Sequence, residues 1–292
     1  MTPPRAAARV TIISVSYNSL RVLPAMLASI PDGVATVIVD NASTDPEALA
    51  DLCRKHGARL IRNDENLGFG VACNKGAEGA ETEFLLFLNP DAVLMPDTLD
   101  ELCAAADRHP TASAMNPRIA EADGSASFKR KSHLIPRREW MRRGWPDADG
   151  EVTVLSGAAL FVRRKDFEAV GGFDPAIFLY HEDDDLACRL RTGCGPLMFV
   201  NAAKVQHLGG QSSARSPAVA ALKAWHMGRS RVYAARKHGR AFAFGHAALQ
   251  ALLQLVSPVN LLSKRKRAKN WAFFKGVFAE GLSGGSATGK TT

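Results

Sequence analysis

Three groups of polar side chains in this sequence have the residue types that phosphate or proton-transfer chemistry needs. Asn89-Pro90-Asp91 directly follows an apolar run, and four consecutive acids follow His181 at Glu182–Asp185. His207 stands alone further along the chain. A carboxylate at the end of a strand can hold a divalent cation that bridges two phosphates. Asn-Pro-Asp is also a favoured turn sequence, so that triplet alone leaves both interpretations open.

The acidic run at Glu182–Asp185 has two compatible interpretations. Acids are stabilised at a helix N-terminus by the helix dipole, which predicts that a helix covers Asp184–Arg191. A carboxylate just before the first helical turn is also held rigidly, and this suits a general base. Arg189 and Arg191 on the same helix would offset the excess negative charge.

His207 is predicted to follow a strand at Leu197–Val200 and a short polar turn at Asn201–Gln206. A single histidine is more often a structural hydrogen-bonding group than a ligand. His207 is nevertheless a candidate metal ligand, because a cation held by Asp91 would need further protein ligands.

The first third of the chain supplies the elements that must position these groups. Four apolar runs alternate with helix-like stretches near 21–30, 46–56, 70–79 and 97–108, and each run ends in polar residues. This β-α-β pattern predicts an α/β fold with a mostly parallel sheet, whose polar strand ends meet at one edge and form a nucleotide-sized crevice. The four runs are Val10–Val15, Val34–Val39, Arg59–Ile61 and Phe84–Leu88.

Residues 119–150 break the alternation. Eight basic side chains lie in this stretch, with Trp140 and Trp145 among them. We predict a long, mobile, basic loop that attracts an anionic acceptor, with a tryptophan stacking on a sugar; a solvated loop without function is the alternative. The eight are Lys129, Arg130, Lys131, His133, Arg137, Arg138, Arg142 and Arg143.

Order is predicted to resume with one strand or a strand pair at Val152–Val162 and a short helix at Lys165–Val170. Beyond residue 215 the composition becomes helical. We expect a domain at 9–214, a basic helical extension at 215–282 and a frayed tail at 283–292. The predicted helices of the extension are Ala218–Arg236, Arg240–Val256 and Lys264–Ala279.

Charge is divided unevenly along the 292 residues, which carry +8 overall. From Arg215 onward there are 14 basic residues and one acid, for +13, whereas the preceding part has 23 basic and 28 acidic residues, for −5. The basic part, with an apolar stretch at Val256–Leu262, predicts binding to an anionic membrane surface rather than to nucleic acid. No apolar run is long enough for a membrane span, so we expect a cytoplasmic protein on the inner face of the plasma membrane.

The five cysteines form no Cys-x-x-Cys pair and predict reduced thiols rather than a disulfide frame or a zinc site. Gly284–Thr291 matches the phosphate-loop pattern G-x-x-x-x-G-K-[ST], but no helix can follow it before the last residue. The turn after the first strand, Ser16–Ser19, lacks G-x-G-x-x-G, which disfavours a dinucleotide-dependent oxidoreductase. A nucleotidyltransferase and a non-catalytic membrane-binding module remain alternatives.

Seven short motifs in a fixed order carry a resemblance to a known family. The chain resembles the family 2 glycosyltransferases, in their rhamnosyltransferase-like branch, over roughly residues 9–210. The resemblance implies a GT-A fold, which is a Rossmann-like sheet flanked by helices, together with a nucleotide-sugar donor, Mg²⁺ or Mn²⁺, and inversion at the anomeric carbon. The motifs are Ile13–Asn18, Val39–Asp45, Glu65–Gly76, Leu88–Asp91, Ser156–Val162, Gly171–Asp174 and Glu182–Arg189.

The resemblance also implies roles for single residues. Asp183 would be the catalytic base, with Glu182 and Arg189 in support, and Asp91 and His207 would be metal ligands. Asp40, with Asn41, would accept hydrogen bonds from a uracil or thymine base. The other residues that would line the donor site are Ser16, Tyr17, Asn66, Gly68, Phe69, Asn74 and Asn89.

Two positions depart from the family pattern. Asn89 replaces the first acid of the D-x-D motif, and Asn41 stands where many relatives have a second Asp. The implied reaction transfers a sugar, with rhamnose from dTDP-rhamnose as the first choice and a UDP-sugar as another, to a glycan or polyprenyl-linked acceptor.

Overall fold

The computed structural model describes residues 6–208, 216–258 and 263–283. The chain forms two compact units. The first contains the described residues up to Pro175 and from Asp183 to Leu208, and the second contains Ala176–Glu182 and the described residues from Ser216 onward. The predicted junction at 214/215, the Val259–Leu262 part of the apolar stretch and the Gly284–Thr291 motif lie outside the described residues.

Within the described residues, the strands of the first unit form one sheet, in the order β3-β2-β1-β4-β8-β6-β9-β5 with β7 beside β9. β1 to β4 are parallel to one another, as predicted. The strands are β1 Val10–Ser16, β2 Ala35–Asp40, β3 Arg59–Arg62, β4 Phe84–Leu88, β5 Ala92–Leu94, β6 Ala114–Glu121, β7 Gly150–Val152, β8 Ala159–Arg163 and β9 Leu197–His207.

Apolar residues cover both faces of this sheet. Along β1, Val10 and Ile12 join one buried cluster, whereas Ile13 and Val15 join the other. This alternation explains why β1 is nearly all apolar, because side chains on both faces of the strand are buried. The flanking helices are α1 Ala6–Arg9, α2 Leu23–Ala28, α3 Pro46–Lys55, α4 Phe69–Ala77, α5 Thr98–Arg108, α6 Arg164–Ala169 and α7 Glu182–Gly193.

The second half of the sheet is mixed, which the sequence did not predict. β8 is antiparallel to β4 and to β6, whereas β6 and β9 are parallel. The predicted polar turn at Asn201–Gln206 is wrong, because β9 continues through it to His207. The β6–β9 pairing instead shifts register between Pro117 and Arg118, so residues 201–203 form an irregularity within the strand and residues 204–206 pair with 118–120.

Residues 119–150 are packed onto the first unit, which corrects the prediction of a mobile loop. Phe128 lies edge-on to Phe199 in the core, and the Trp145 indole donates to the Ile119 carbonyl at 2.9 Å. The Arg118 guanidinium covers the Trp145 ring at 4.1 Å from its centroid. Apolar and aromatic contacts therefore hold this stretch in place, although its basic composition had suggested a mobile loop.

The second unit contains α8 Pro217–Lys237, α9 Ala243–Leu255 and α10 Lys264–Leu282. Small residues allow α8 and α10 to cross closely, since a Cβ on Gly228 would lie 2.5 Å from the Phe273 carbonyl oxygen. Phe273 and Val277 form the core of this unit with Ala224 and Val232. Among the described helices, none is both long and apolar enough to cross a membrane.

Candidate active site

The carboxyl ends of the parallel strands form the polar edge that the sequence predicted. Ser16 is paired in register with Asp40, and Asp40 with Arg62, so three neighbouring strands present these residues side by side. Asp40 is completely buried; its carboxylate accepts from Arg62 at 2.7 Å and from the Ser43 amide at 2.9 Å. A buried charge needs such partners, so the Asp40–Arg62 pair is a fixed element of this edge.

All hydrogen-bonding positions of the Asn41 side-chain amide are occupied by other groups of the protein. Its nitrogen donates to Asn66 Oδ1 at 2.8 Å and to the Gly68 carbonyl at 3.1 Å. Its oxygen accepts from Asn63 Nδ2 at 3.1 Å and from the Leu67 amide at 3.0 Å. Two donors and two acceptors are thus all satisfied, and Asn41 fixes the loop that leads into α4. A contact from Asn41 to a base remains a prediction.

Gly68 and Asn74 shape the next part of this edge. Gly68 precedes α4 with a φ of 85°, a conformation that glycine adopts without strain. Asn74 on α4 exchanges two hydrogen bonds, of 2.8 and 2.9 Å, with the backbone of Phe173, whose ring lies edge-on to Phe69. The nitrogen and the oxygen of the Asn74 amide each have one hydrogen-bonding position left, and a contact from Asn74 to a nucleoside remains a prediction.

Two predicted positions in the first strand-end cluster differ in exposure. Ser16 Oγ is buried and has no hydrogen-bond partner in the described structure, whereas Tyr17 is 46% exposed. Both follow from the end of β1, where successive side chains point to opposite faces. The exposed Tyr17 ring can contact a ligand directly, whereas a contact from Ser16 remains a prediction.

Asp91 and His207 meet at the other end of the edge. β5 begins just after Asp91, and its first residue, Ala92, is paired with His207 across the antiparallel β5–β9 ladder. His207 Nε2 lies 3.3 Å from Asp91 Oδ1, and Glu121 Oε2 lies 3.5 Å from Nδ1. The hydrogen bond to Asp91 raises the pKa of His207, against the opposing effect of burial.

The donor set at this end fits a single hard cation. Asp91 and His207 supply one oxygen and one nitrogen, and in the described part of the chain no three His, Cys, Asp or Glu side chains form a metal-ligating group. Mg²⁺ is commonly held by one or two carboxylates with substrate phosphates completing its shell, so two protein ligands suffice. The backbone N–H of Asn89 donates to the Ala158 carbonyl at 2.9 Å, which fixes Asn89 at the end of β4, two residues before Asp91.

Asp183 lies in the first turn of α7 and is fixed by three donors. Its Oδ2 accepts from Lys129 at 2.7 Å and from the Gly157 amide at 2.9 Å, and its Oδ1 accepts from the Asp184 amide at 2.8 Å. A Cβ on residue 157 would lie 3.3 Å from the Asp183 carboxylate, which explains the glycine there. The carboxylate is 19% exposed, so solvent or a ligand can reach it.

The backbone at Gly157-Ala158 joins the two halves of the site. Gly157 donates to Asp183, and the carbonyl of the next residue, Ala158, accepts from Asn89 at the end of β4. The structure therefore brings Asp183 to the strand end that leads to Asp91 and His207.

Asp184 and Asp185 of the acidic run are also paired with cations. Asp185 is completely buried and binds Arg189 at 2.7 Å, whereas Arg191 binds Glu139 instead. Lys129 lies 2.9 Å from Asp184. Sequence reasoning missed Lys129 as a site residue, because its position in a basic stretch gave no sign that one lysine alone turns inward.

Comparison with known proteins agrees with this geometry. The family model described as glycosyl transferase family 2 matches residues 11–171. The chain is 31% identical to the N-acetylglucosaminyl-diphospho-decaprenol L-rhamnosyltransferase of Mycobacterium tuberculosis, over 71% of this chain and 78% of that protein. The chain therefore belongs to glycosyl transferase family 2 and is a glycosyltransferase.

Solved structures confirm the fold. The Pyrobaculum calidifontis mannosyltransferase PcManGT, solved with GDP-Man and Mn²⁺, superimposes with a TM-score of 0.57 at 18% identity, covering 95% of this chain and 88% of that one. Residues 1–349 of TarS from S. aureus give a TM-score of 0.56 at 16% identity, covering 94% and 92%. At these identities the likeness establishes the GT-A architecture.

Asn41→Asp tests the hydrogen-bonded loop. A carboxylate cannot donate, so the Asn66 and Gly68 oxygens would face a negative charge, and we expect a loss of about 1–3 kcal/mol in the free energy of unfolding. Urea denaturation measures this loss. Asn18→Asp is the control, since Asn18 Oδ1 only accepts, from the amide and hydroxyl of Thr44. Equal stability of the two variants would contradict the assignment.

Proposed function

We propose that this glycosyltransferase moves a sugar, with inversion, from a nucleotide-sugar to a hydroxyl of an acceptor, and that Asp183 is the general base. The observation that carries the proposal is the fixed, partly exposed carboxylate of Asp183 at the Gly157-Ala158 backbone, beside the strand end that carries Asn89 and Asp91. Its ordered position suits proton transfer, which requires hydrogen-bond reach to the attacking hydroxyl.

Different residues of the chain would serve different parts of the reaction. The acceptor oxygen attacks the anomeric carbon as the bond to the departing diphosphate breaks, and Asp183 accepts the hydroxyl proton. Ser16, Tyr17 and the Asp40–Arg62 edge hold the nucleoside, and Asn66, Gly68 and Phe69 shape the adjacent wall. Asp91 and His207 would hold Mg²⁺ or Mn²⁺, which offsets the negative charge of the leaving diphosphate when bound.

The name of a relative supports a choice of donor and acceptor. The mycobacterial protein is named as an L-rhamnosyltransferase that acts on a diphospho-decaprenol, which supports dTDP-rhamnose as the donor and a polyprenyl-linked glycan as the acceptor. A shallow cavity of about 440 Å³, lined by Arg130, Lys131 and Arg143 beside Lys129, supports an anionic acceptor. In the described part of the chain, no carboxylate lies within ion-pairing distance of those three cations.

The second unit supports binding to an anionic membrane surface. Leu249, Leu252, Leu253 and Val256 recur at helical spacing along α9, and each is 48–79% exposed. The amide of Asn270 in α10 donates to the Gln254 carbonyl at 3.1 Å, so the basic start of α10 lies beside the end of this stripe. An apolar stripe next to cations is typical of helices that lie in a membrane interface, here the inner face of the plasma membrane.

Asp183→Asn tests the proposed reaction. The amide keeps the shape of the side chain but cannot take a proton, so we expect transfer from dTDP-rhamnose to fall by about 10²–10⁴-fold. Calorimetric titration with dTDP should give unchanged affinity, because no donor contact is lost. Asp51→Asn, on the exposed face of α3, is the control. Near-wild-type turnover in the Asp183 variant would remove this carboxylate from the mechanism.

The cation site is tested at Asp91 and Asn89. Asp91→Asn removes the one carboxylate ligand, and we expect Mn²⁺ to bind at least about tenfold more weakly in the presence of dTDP, as read by electron paramagnetic resonance. Asn89→Asp introduces a second acid beside Asp91, and we expect this variant to bind Mn²⁺ more tightly. If neither change altered Mn²⁺ affinity, the cation would lie elsewhere.

The membrane proposal is tested with vesicles that contain phosphatidylglycerol. Leu249→Gln with Leu253→Gln should lower the bound fraction in flotation by about tenfold or more, since a fully buried leucine contributes about 1.5–3 kcal/mol. Leu222→Gln, which changes an exposed leucine of α8, is the control and should bind normally. High salt should weaken the wild type if the α10 cations take part. Equal flotation of all three proteins would exclude α9 as the contact.

A further inference from the structure

Lys129 is the only inward-turned cation of the basic cluster Lys129–Lys131. Its ammonium lies 2.7 Å from Asp183 and 2.9 Å from Asp184, whereas Arg130 donates to the Met141 carbonyl and Lys131 lies over the Trp140 ring. Phe128, packed against Phe199, anchors the chain beside it. The position of Lys129 is therefore built into the core of the first unit.

We propose that Lys129 is a positioning residue that orients the Asp183 carboxylate and gives it a positively charged partner during proton transfer. The proposal rests on the assignment of Asp183 as the base. It adds a residue of the 119–150 stretch to the catalytic machinery, in a role that neither the motifs nor the relatives' names assign.

The hydrogen bonds show which oxygen is left to act. A carboxylate offers about four lone-pair positions. Lys129 and Gly157 occupy two on Oδ2, and the Asp184 amide occupies one on Oδ1. The remaining position is on Oδ1, so the acceptor proton is taken there while Lys129 stays bound to Oδ2. A group held in this way needs no reorganisation when the hydroxyl arrives.

Charge explains why a cation is needed at this point. Asp183 and Asp184 are adjacent carboxylates, and like charges so close repel each other unless a cation intervenes. Burial lowers the pKa of Lys129, but the charges of Asp183 and Asp184 outweigh it, so the ammonium persists at neutral pH. Asp185 is already bound to Arg189, and burial raises the pKa of the nearby Cys188 thiol to about 11. Lys129 therefore supplies the positive charge that faces both carboxylates.

The test compares Lys129→Met, which removes the charge, with Lys129→Arg, which keeps it. For the methionine variant we expect kcat to fall about tenfold to a hundredfold, because a misplaced group loses near-attack geometry. We expect the acidic limb of its kcat/KM profile to move up by about one pH unit. Affinity for dTDP should stay within about twofold. In the arginine variant, the acidic limb of the kcat/KM profile should lie at the same pH as in the wild type.

Lys55→Met is the control, since it removes the same charge from an exposed lysine in the last turn of α3 that makes no ion pair in the described structure. It should leave the pH profile unchanged. If Lys129→Met had the same pH profile as the wild type, the role of Lys129 would be structural only. Faster turnover in that variant would show that Lys129 shields the base, and would overturn the proposal.

A second measurement does not depend on turnover. Carboxyl ¹³C resonances of labelled aspartate, with Asp183→Asn used for assignment, should show Asp183 protonating at higher pH in Lys129→Met than in the wild type. An unchanged titration would refute the proposed role of Lys129 even if the enzyme proved inactive with every donor. Absence of transfer in the wild type, with the titration shifted, would instead refute the proposed function alone.

Discussion

The site of this glycosyltransferase depends on the hydrogen bonds made by one dipeptide, Gly157-Ala158. Its amide fixes Asp183, and its carbonyl fixes Asn89, so residues nearly a hundred positions apart are held by adjacent peptide groups. Because β8 is antiparallel to β4, the dipeptide that leads into β8 lies at the same edge as the residue that follows β4. The antiparallel pairing of β8 with β4 is thus what places Asp183 near the strand end that carries Asn89.

A second constraint is that buried carboxylates at this edge need cations. Asp40 has Arg62, Asp183 and Asp184 share Lys129, and Asp185 has Arg189. Leaving one of these charges without its partner would cost several kcal/mol, which makes the partner as necessary as the acid. The cations come from β3, from the 119–150 stretch and from α7 itself, so the acids connect separate segments of the first unit.

Much of this arrangement could be predicted from local signals. The alternation of apolar runs and helices located β1 to β4. It also placed Ser16 and Asp40 at one edge, because the carboxyl ends of parallel strands lie at the same edge of a sheet. The acidic run correctly indicated the start of α7, because acids at a helix N-terminus are a local preference. The family resemblance supplied the fold, which the solved structures confirm.

The parts that could not be predicted depend on contacts distant in sequence. The polar residues Asn201–Gln206 resembled a turn, yet pairing with β6 holds them in a strand, and no local pattern encodes that partner. The 119–150 stretch resembled a solvated loop because its anchors, Phe128 and Trp145, are few among many charges. Likewise, the assignment of Ala176–Glu182 to the second unit follows from contacts such as the 2.9 Å bond from Ser230 Oγ to the Leu179 carbonyl.

The pairing of the acids also bears on the departure at Asn89. An acid at that position would add negative charge where a diphosphate must bind, beside Asp91. Arg and Lys partners neutralise most of the acids named above, whereas Asp91 is paired with His207, a side chain that can release its proton and coordinate a cation. In the proposed site, asparagine at 89 would lower the negative charge presented to the donor by one, and a cation would be held by fewer protein ligands and more by the substrate's own phosphates. Binding of cation and donor would then be mutually dependent, because each completes the site of the other.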